Sequence, residues 1–413
     1  MGWLPLCMFR SDVLIIGAGA AGCFAAIQAA RTYPHLSIAI LEKSKQPLSK
    51  VKISGGGRCN VTNVLSNPSE LFKKYPRGER FLKKAFYQFS SKDMVAWLRE
   101  RDVPLRLYPD GCYFPESNDS QTIIDCFLSE LKRCGVTIHL QNGVQEIRQT
   151  EHGFSAQTSQ GNWETKRVIV TTGGHPKITG FDYLKSLEIS LVDPVPSLFT
   201  FNLPQHPIRE LMGIVQQDAQ VRLAGGKWNL SGPLLITHWG LSGPAILVTS
   251  AFGARELAGV QYEKDFHVNW TGGLSVNETV EVLREMKSSK KLVRNAPHFG
   301  MKSRLWEFLV TKAGIDAERT WEQCSDKQLL RLAEELAVGQ FHVSGKTTFK
   351  EEFVTAGGVD LAHIDVQTMQ HKRVPGLFFA GEVLDIDGIT GGFNFQAAWT
   401  TGFIAGKNVG EGL

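Results

Sequence analysis

A chain of 413 residues exceeds the usual reach of one hydrophobic core, so two or three domains are expected. Its 42% hydrophobic and 21% charged content excludes a disordered or fibrous protein. The net charge of +4 comes without a long polybasic tract, so pairs such as Lys290-Lys291 read as solvated surface, with RNA left open as a partner. Seven cysteines (Cys7, Cys23, Cys59, Cys112, Cys126, Cys134, Cys324) form an odd set without C-x-x-C spacing. That argues against a zinc site or a redox dithiol and for a reducing, cytoplasmic compartment; no metal is expected. The first ten residues are apolar but too short for a secretory signal, Met8 is a candidate start, and no run of 18 apolar residues occurs, so a soluble chain independent of membranes is expected.

In chain order, residues 12–16 (Asp-Val-Leu-Ile-Ile) read as a buried parallel strand, 20–31 as an Ala-rich helix and 37–41 as the next strand. Together they have the length of a β-α-β unit. Helices are predicted at 81–89, 92–101 and 120–134, the last ended by Gly135, followed by strands at 136–140, 154–157 and 167–171. Near Pro194-Val195-Pro196 the texture changes to short β segments at 199–203, 219–223 and 234–237, which marks a domain boundary. Helices at 277–287, 302–313 and 326–337 read as a small insert, and from Phe353 the glycine-rich texture of the first part returns. The simplest architecture is a dinucleotide-binding domain built from both ends of the chain and interrupted by a β unit with a helical insert. No internal repeat is evident.

Gly17-Ala18-Gly19-Ala20-Ala21-Gly22 lies directly between the first strand and the first helix, with Glu42 at the end of the second strand. Gly17 permits the tight turn, Gly19 lets the backbone approach a pyrophosphate, and Gly22 lets the helix pack closely on the strand. Ala20 and Ala21 begin a helix whose free N–H groups and dipole favour phosphate, and Glu42 suits the adenosine ribose hydroxyls. This motif alone admits NAD or FAD. A second cluster, from Lys50 to Asn63, holds Gly55, Gly56 and Gly57, which let a loop lie against a flat ring or a phosphate. Lys52 and Arg58 stand by to counter anionic charge. A plain surface turn does not need three glycines flanked by Arg58, Cys59 and Asn60. In the third cluster a strand at 377–380 ends on Gly381-Glu382, and Gly391-Gly392 precede a helix at 394–405 that opens with Asn394 and Phe395. A second helix N-terminus is thereby offered to the same ligand, and the three clusters together favour FAD.

The chain resembles the BaiN/YhiN/RdsA-like family of NAD(P)/FAD-dependent oxidoreductases, also labelled the aminoacetone oxidase family. The resemblance rests on Lys52 through Asn63, on Thr237-His238-Trp239-Gly240-Leu241-Ser242-Gly243-Pro244-Ala245, on Thr355-Ala356-Gly357-Gly358-Val359 and on Ala380-Gly381-Glu382-Val383-Leu384-Asp385. It runs over nearly the whole chain from Ser11. It implies an α/β fold: a discontinuous Rossmann-like FAD-binding domain (9–195 and 345–413) and an inserted β-barrel domain (196–275 and 335–344) carrying a small helical insert (276–334). Lys43, Ser54, Val144, Thr172, Gly173, Gly174 and Asp385 then join the FAD-binding set, with Thr171-Thr172-Gly173-Gly174 as the turn that returns the backbone to the cofactor. Cys112, in Gly111-Cys112-Tyr113-Phe114-Pro115, stands where the family usually has Arg.

The resemblance further implies reduction of an activated C=C bond, either of uridine in 23S ribosomal RNA to dihydrouridine or of an unsaturated keto small molecule. Such a reaction needs an acid to protonate the carbon beside the one that receives hydride. Cys59, His238 and Asp387 are the candidates; their plainer readings are a small buried thiol, a loop histidine and a turn-former before Gly388. His139, His175 and His206 sit outside the strongest motifs and read as structural. With no second G-x-G-x-x-G after a strand, NAD(P)H as reductant has to reach the flavin directly, which implies ping-pong kinetics. An amine oxidase using oxygen and a flavin-binding scaffold without turnover are the alternatives, and the oligomeric state stays open.

Overall fold

The computed structural model describes residues 8–347 and 354–413; Cys7 and the return point at Phe353 lie outside them. The chain divides into two compact units, Met1–Pro196 with Lys350–Leu413, and Ser197–Phe349.

In the first unit, strand β1 (Met8–Ile16) is covered on both faces where it matters: Val13, Leu14, Ile15 and Ile16 are all buried. An unbroken aliphatic run is what such a central parallel strand requires. Helix α1 (Ala20–Thr32) leads to β2 (Ile38–Leu41), which pairs in parallel with β1, Val13 opposite Ile38. The sheet continues with β3 (Thr137–His139), β4 (Val144–Thr150), β5 (Gly153–Thr158) and β6 (Gly161–Val170), in the order β3-β2-β1-β6-β5-β4. Along one edge β6 pairs with β1, while its other edge takes β5 at its start and the late strand Leu377–Phe379 at its end. The far end of the chain thus completes the sheet that the beginning opens.

The terminal helix Phe393–Asn408 lies against α1 at backbone distance. A Cβ on Gly402 would come within 2.6 Å of the Ala21 carbonyl oxygen, and one on Gly406 within 2.2 Å of that of Ala25. Contacts that advance together, 21 with 402 and 25 with 406, make the two helices parallel. Both therefore aim their N-termini toward the same end of the unit, the end at which the parallel strands β1 and β2 finish.

Among the strands of this unit that escape the sequence reading, two do so for evident physical reasons. Within β4, Ile147 alone is fully buried, so no alternation is visible. Leu191–Ser197 contains Pro194 and Pro196, which are read as breakers; it forms a two-stranded ribbon with Val354–Val359, a setting in which Pro costs little.

The second unit is a seven-stranded antiparallel sheet in the order Gly339–Ser344, Glu263–Asn269, Val215–Leu223, Leu230–Ile236, Gly240–Ser242, Thr200–Asn202, Lys346–Thr347. Among the described residues no ladder joins the first of these to the last. Helices Val276–Arg284 and Asp326–Val338 each start from a capping box, Ser275 with Glu278 and Ser325 with Gln328. Their apolar faces and that of Ser303–Lys312 share one core with the sheet, where Leu283, Leu305, Trp306, Leu309 and Leu329 meet Phe266, Val268 and Trp270. Among the described residues no helix is long and apolar enough to cross a membrane.

Candidate functional site

The loop between β1 and α1 is packed on one side and open on the other. Gly17 has φ +105°, and a Cβ there would lie 2.6 Å from the Thr171 carbonyl oxygen; one on Gly22 would lie 2.0 Å from the Gly17 carbonyl oxygen. On Gly19, by contrast, it would meet nothing within 4 Å. The Thr171 hydroxyl donates to the carbonyls of Ile16 and Gly17 and locks the loop to the end of β6. Glu42 closes it from the side of β2: its carboxylate accepts from the Ala18 N–H at 2.8 Å and from the backbone and hydroxyl of Ser44. Ala20 and Ala21 form the first turn of α1. Lys43 is exposed beside Glu42. Val144 packs partly buried against Leu14, Ala39 and Leu41, in the stretch where Asn142 donates to the Glu42 carbonyl.

The second cluster is helical where a loop is expected, and then turns sharply. Residues Ser49–Gly57 begin as a helix, break at Ser54 (φ −64°, ψ 147°), and pass through left-handed backbone at Gly55, Gly56 and Gly57 (φ +57°, +69° and +83°). Consecutive left-handed residues point successive N–H groups to one side, a concavity suited to anionic or electron-rich atoms. Space is open over Gly56 and Gly57, as over Gly19. Ser54 donates its hydroxyl to the Val51 carbonyl, and Arg58 donates to that of Gly55 while its guanidinium lies 4.5 Å from the Phe114 ring centroid. Lys52 reaches away, to Gln121 at 3.0 Å. Asn60 accepts from the Gly392 N–H and donates to the Thr62 carbonyl, so the second and third clusters are hydrogen-bonded to each other.

The third cluster meets the first two. Gly381 donates to the Thr401 hydroxyl and stands against Ala21 of α1. Glu382 accepts from Lys50 Nζ at 2.7 Å and from the Thr355 N–H at 3.0 Å, and it borders Gly173 and Gly174. The Thr172 hydroxyl is hydrogen-bonded to Tyr183. Asp385 donates its N–H to the Val359 carbonyl. Gly391 and Gly392 cap the terminal helix, where Asn394 forms a closed pair of hydrogen bonds with Gly388 and Phe395 stacks on Trp399. A dinucleotide fits this arrangement: the backbone is filled wherever strand, helix and loop must touch, and open over Gly19, Gly56 and Gly57. Among the described residues no cluster of three His, Cys, Asp or Glu side chains is disposed to hold a metal.

The three acid candidates occupy different settings. Cys59 is fully buried in left-handed backbone (φ +61°), and burial pushes its thiol up to about 12 against the opposing hydrogen bond with Ser54. Asp387 is fully buried and held by both nitrogens of an Arg77 fork. His238 belongs to the second unit, exposed in the loop before Gly240–Ser242, with its carbonyl accepting from Arg209 and its ring against Trp239. Cys112 is buried on strand Cys112–Pro115, its backbone N–H bonded to the Asp110 carboxylate. His175, read as structural, follows the Thr172-Gly173-Gly174 turn. Burial, with Lys43 and Lys50 nearby, holds its imidazole down at about 4, against the pull of Glu382.

Sequence reasoning does not single out Thr171, Lys50, Thr355 or Arg77. Thr171, Lys50 and Thr355 lie inside segments that were quoted as motifs, but a Thr171 hydroxyl on backbone carbonyls, and a Lys50 ammonium and a Thr355 N–H that meet Glu382 from other segments, leave no spacing signature. Arg77 has no local signal at all, because its partner is 310 residues away.

Residues 11–408 match the family described as HI0933-like protein Rossmann domain. The chain is 28% identical to the ribosomal RNA dihydrouridine synthase of Haemophilus influenzae, with 97% of this chain and 98% of that protein covered. It is 26% identical to the protein of the same name in Escherichia coli K12, with the same coverage. It is also 28% identical to the 3-dehydro-bile acid delta(4,6)-reductase of Clostridium scindens, over 96% of this chain and 98% of that protein. Among solved structures, the 3-ketosteroid-delta4-(5alpha)-dehydrogenase of Rhodococcus jostii RHA1 superposes with a TM-score of 0.53 at 14% identity, covering 97% of each chain. That likeness speaks to the fold.

Proposed function

Because the chain belongs to the HI0933-like protein Rossmann domain family, we propose that it is an FAD-dependent reductase that draws on NAD(P)H to saturate an activated C=C bond, with uridine of 23S ribosomal RNA as substrate. The observation that carries this reading is near-full-length similarity to two proteins named for making dihydrouridine in ribosomal RNA and to a third named for a delta(4,6) reduction. In each case the bond saturated is conjugated to a carbonyl, so one chemistry serves both substrate classes.

Bound FAD supplies the two-electron redox step. What the chain supplies is position and charge. The α1 N-terminus and the open backbone over Gly19 suit the pyrophosphate, Glu42 the adenosine ribose, and the Gly55–57 concavity together with Glu382 and Lys50 the flavin end. A proton must reach the carbon next to the one reduced. Of the three candidate acids, Asp387 has both carboxyl oxygens taken by the Arg77 fork and the Cys59 thiol is enclosed, while the His238 side chain is exposed. One dinucleotide loop in the sequence means that reductant and substrate use the cofactor in turn.

Anaerobic mixing of the FAD-loaded protein with NADPH tests this directly. The flavin absorbance should bleach, and ribosomal RNA from a strain lacking the gene should restore it while gaining dihydrouridine at a mapped position. An unchanged dihydrouridine map in the deletion strain would reject RNA. The bile-acid relative favours a second reading, an unsaturated keto small molecule, under which an enone and not RNA restores the colour. Bleaching by an amine with peroxide release in air would replace both with an oxidase.

A further inference from the structure

Between Leu71 and Lys92 the chain carries seven basic residues, Lys73, Lys74, Arg77, Arg80, Lys83, Lys84 and Lys92, against the single acid Glu79. Two have evident partners: Arg77 grips Asp387, and Lys73 pairs with Glu70 at 2.9 Å. Arg80, Lys83 and Lys84 are exposed on helix Glu79–Ala85 and make no ion pair among the described residues; Lys83 rests 5.0 Å from the Phe72 ring centroid. Their spacing of three and four residues puts them on one side of the helix, while Leu82 and Ala85 face the core. One further turn along, Tyr87 is 70% exposed, more than any other large hydrophobic side chain among the described residues.

This basic face is tied to the cofactor segment at three points. The Tyr75 hydroxyl donates to the Phe393 carbonyl at 2.7 Å, the Ile389 N–H donates to the Lys74 carbonyl at 3.0 Å, and Arg77 is forked onto Asp387. Gly78, at the start of the helix, is pressed onto Ile386. A row of cations ending in an exposed aromatic ring thus begins beside the stretch from Gly381 to Gly392. Phosphates in sequence with an unstacked base are the chemistry that matches cations followed by a ring.

We infer that Arg80, Lys83, Lys84 and Tyr87 form a docking surface for single-stranded RNA, the three cations on successive phosphates and the Tyr87 ring under a base flanking the reduced uridine. This rests on the RNA reading of the preceding subsection. An acidic protein partner would equally use the cations, but it gives no role to a bare tyrosine at their end.

The test uses the FAD-loaded full chain and a fluorescein-labelled, uridine-containing oligoribonucleotide of ribosomal sequence, titrated at several salt concentrations. The triple variant R80E/K83E/K84E should lower the slope of log affinity against log salt by about 2, at roughly 0.7 per phosphate contact on a single strand. Tyr87→Ala should weaken binding about tenfold with the slope unchanged, and Tyr87→Phe should restore it. Bleaching of the flavin by NADPH should be the same in every variant, which shows that each is folded and loaded. Equal affinity and equal salt slope in the triple variant and the wild type would overturn the inference. If the wild type converts uridine in RNA and the variants do so with unchanged KM, the docking surface fails while the proposed reaction stands. If the wild type binds no RNA and reduces an enone instead, both fall together.

Discussion

The loop at Gly17–Gly22 and the core of the second unit hold their shapes by opposite means. In the loop, single atoms decide: a Cβ on Gly22 would sit 2.0 Å from a carbonyl oxygen, and Thr171 bonds two successive carbonyls with one hydroxyl. In the second unit volume decides, since Phe266, Trp270, Trp306, Leu309 and Leu329 fill one core from sheet and helices together. Backbone contacts tolerate no substitution and bind a ligand of fixed shape; side-chain packing tolerates exchange so long as volume is kept. The first region therefore holds the backbone geometry on which the proposed cofactor site depends, and the second is free to exchange side chains while keeping its fold.

The largest effect should come from Gly22→Val, which sets branched carbons against the Gly17 carbonyl and the Thr171 hydroxyl. We expect the purified variant to lose its flavin, read as loss of visible absorbance after gel filtration with added FAD. Retention of stoichiometric flavin would show that the loop yields and that the comparison with the second unit is misdrawn. Next in size is Arg77→Leu, which leaves the Asp387 carboxylate buried without its fork. Removing one partner of a buried pair costs about 3–5 kcal/mol, so the thermal midpoint should fall by several degrees; the double variant R77L/D387L should recover most of that loss. Leu309→Ala, deep in the second unit, should cost about 2–4 kcal/mol by transfer and cavity formation, and Leu309→Met much less. Neither variant at 309 should release flavin if the two units store different things.

That contrast also governs how much was legible in advance. The β-α-β start and the α/β class could be read because glycine spacing and aliphatic runs are local signals. The helical beginning of Ser49–Gly57 was read as loop because three glycines mask the turn that precedes them. In the second unit, strand Glu263–Asn269 and helix Pro244–Phe252 went unread: the first buries only Phe266 and Val268 fully, and the second opens on a proline inside a segment quoted for its motif. Hydrogen bonds that join distant segments, such as Lys50 with Glu382 and Arg77 with Asp387, follow from tertiary proximity that no window of sequence contains.

The smallest effect separates the units by pH. On the edge of the second unit's sheet, strands Glu263–Asn269 and Gly339–Ser344 place Asp265 opposite His342 and Glu263 opposite Ser344. The His342 ring bridges Asp265 at 2.7 Å and Glu263 at 3.0 Å. The hydrogen bond to Asp265, then that to Glu263, raises the imidazole above its ordinary value; the Ser344 hydroxyl and then His342 hold the Glu263 carboxyl below its own, and His342 does the same for Asp265. A raised histidine contributes stability that is complete below the unfolded value of about 6.5 and is lost as pH climbs through the folded one. The depressed carboxylates contribute above the unfolded carboxyl range and lose it on acidification. The edge pairing should therefore be firmest at mildly acidic pH and loosen toward pH 9. Because all three groups are largely exposed, the change should be small and should shrink with added salt. Amide exchange across Gly339–Ser344, corrected for the intrinsic pH dependence, should show protection falling from pH 6 to pH 9 in the wild type and flat in His342→Gln, the two converging at high pH. A parallel fall in the variant would assign the pH response to some other group and leave the edge held by its backbone ladder alone.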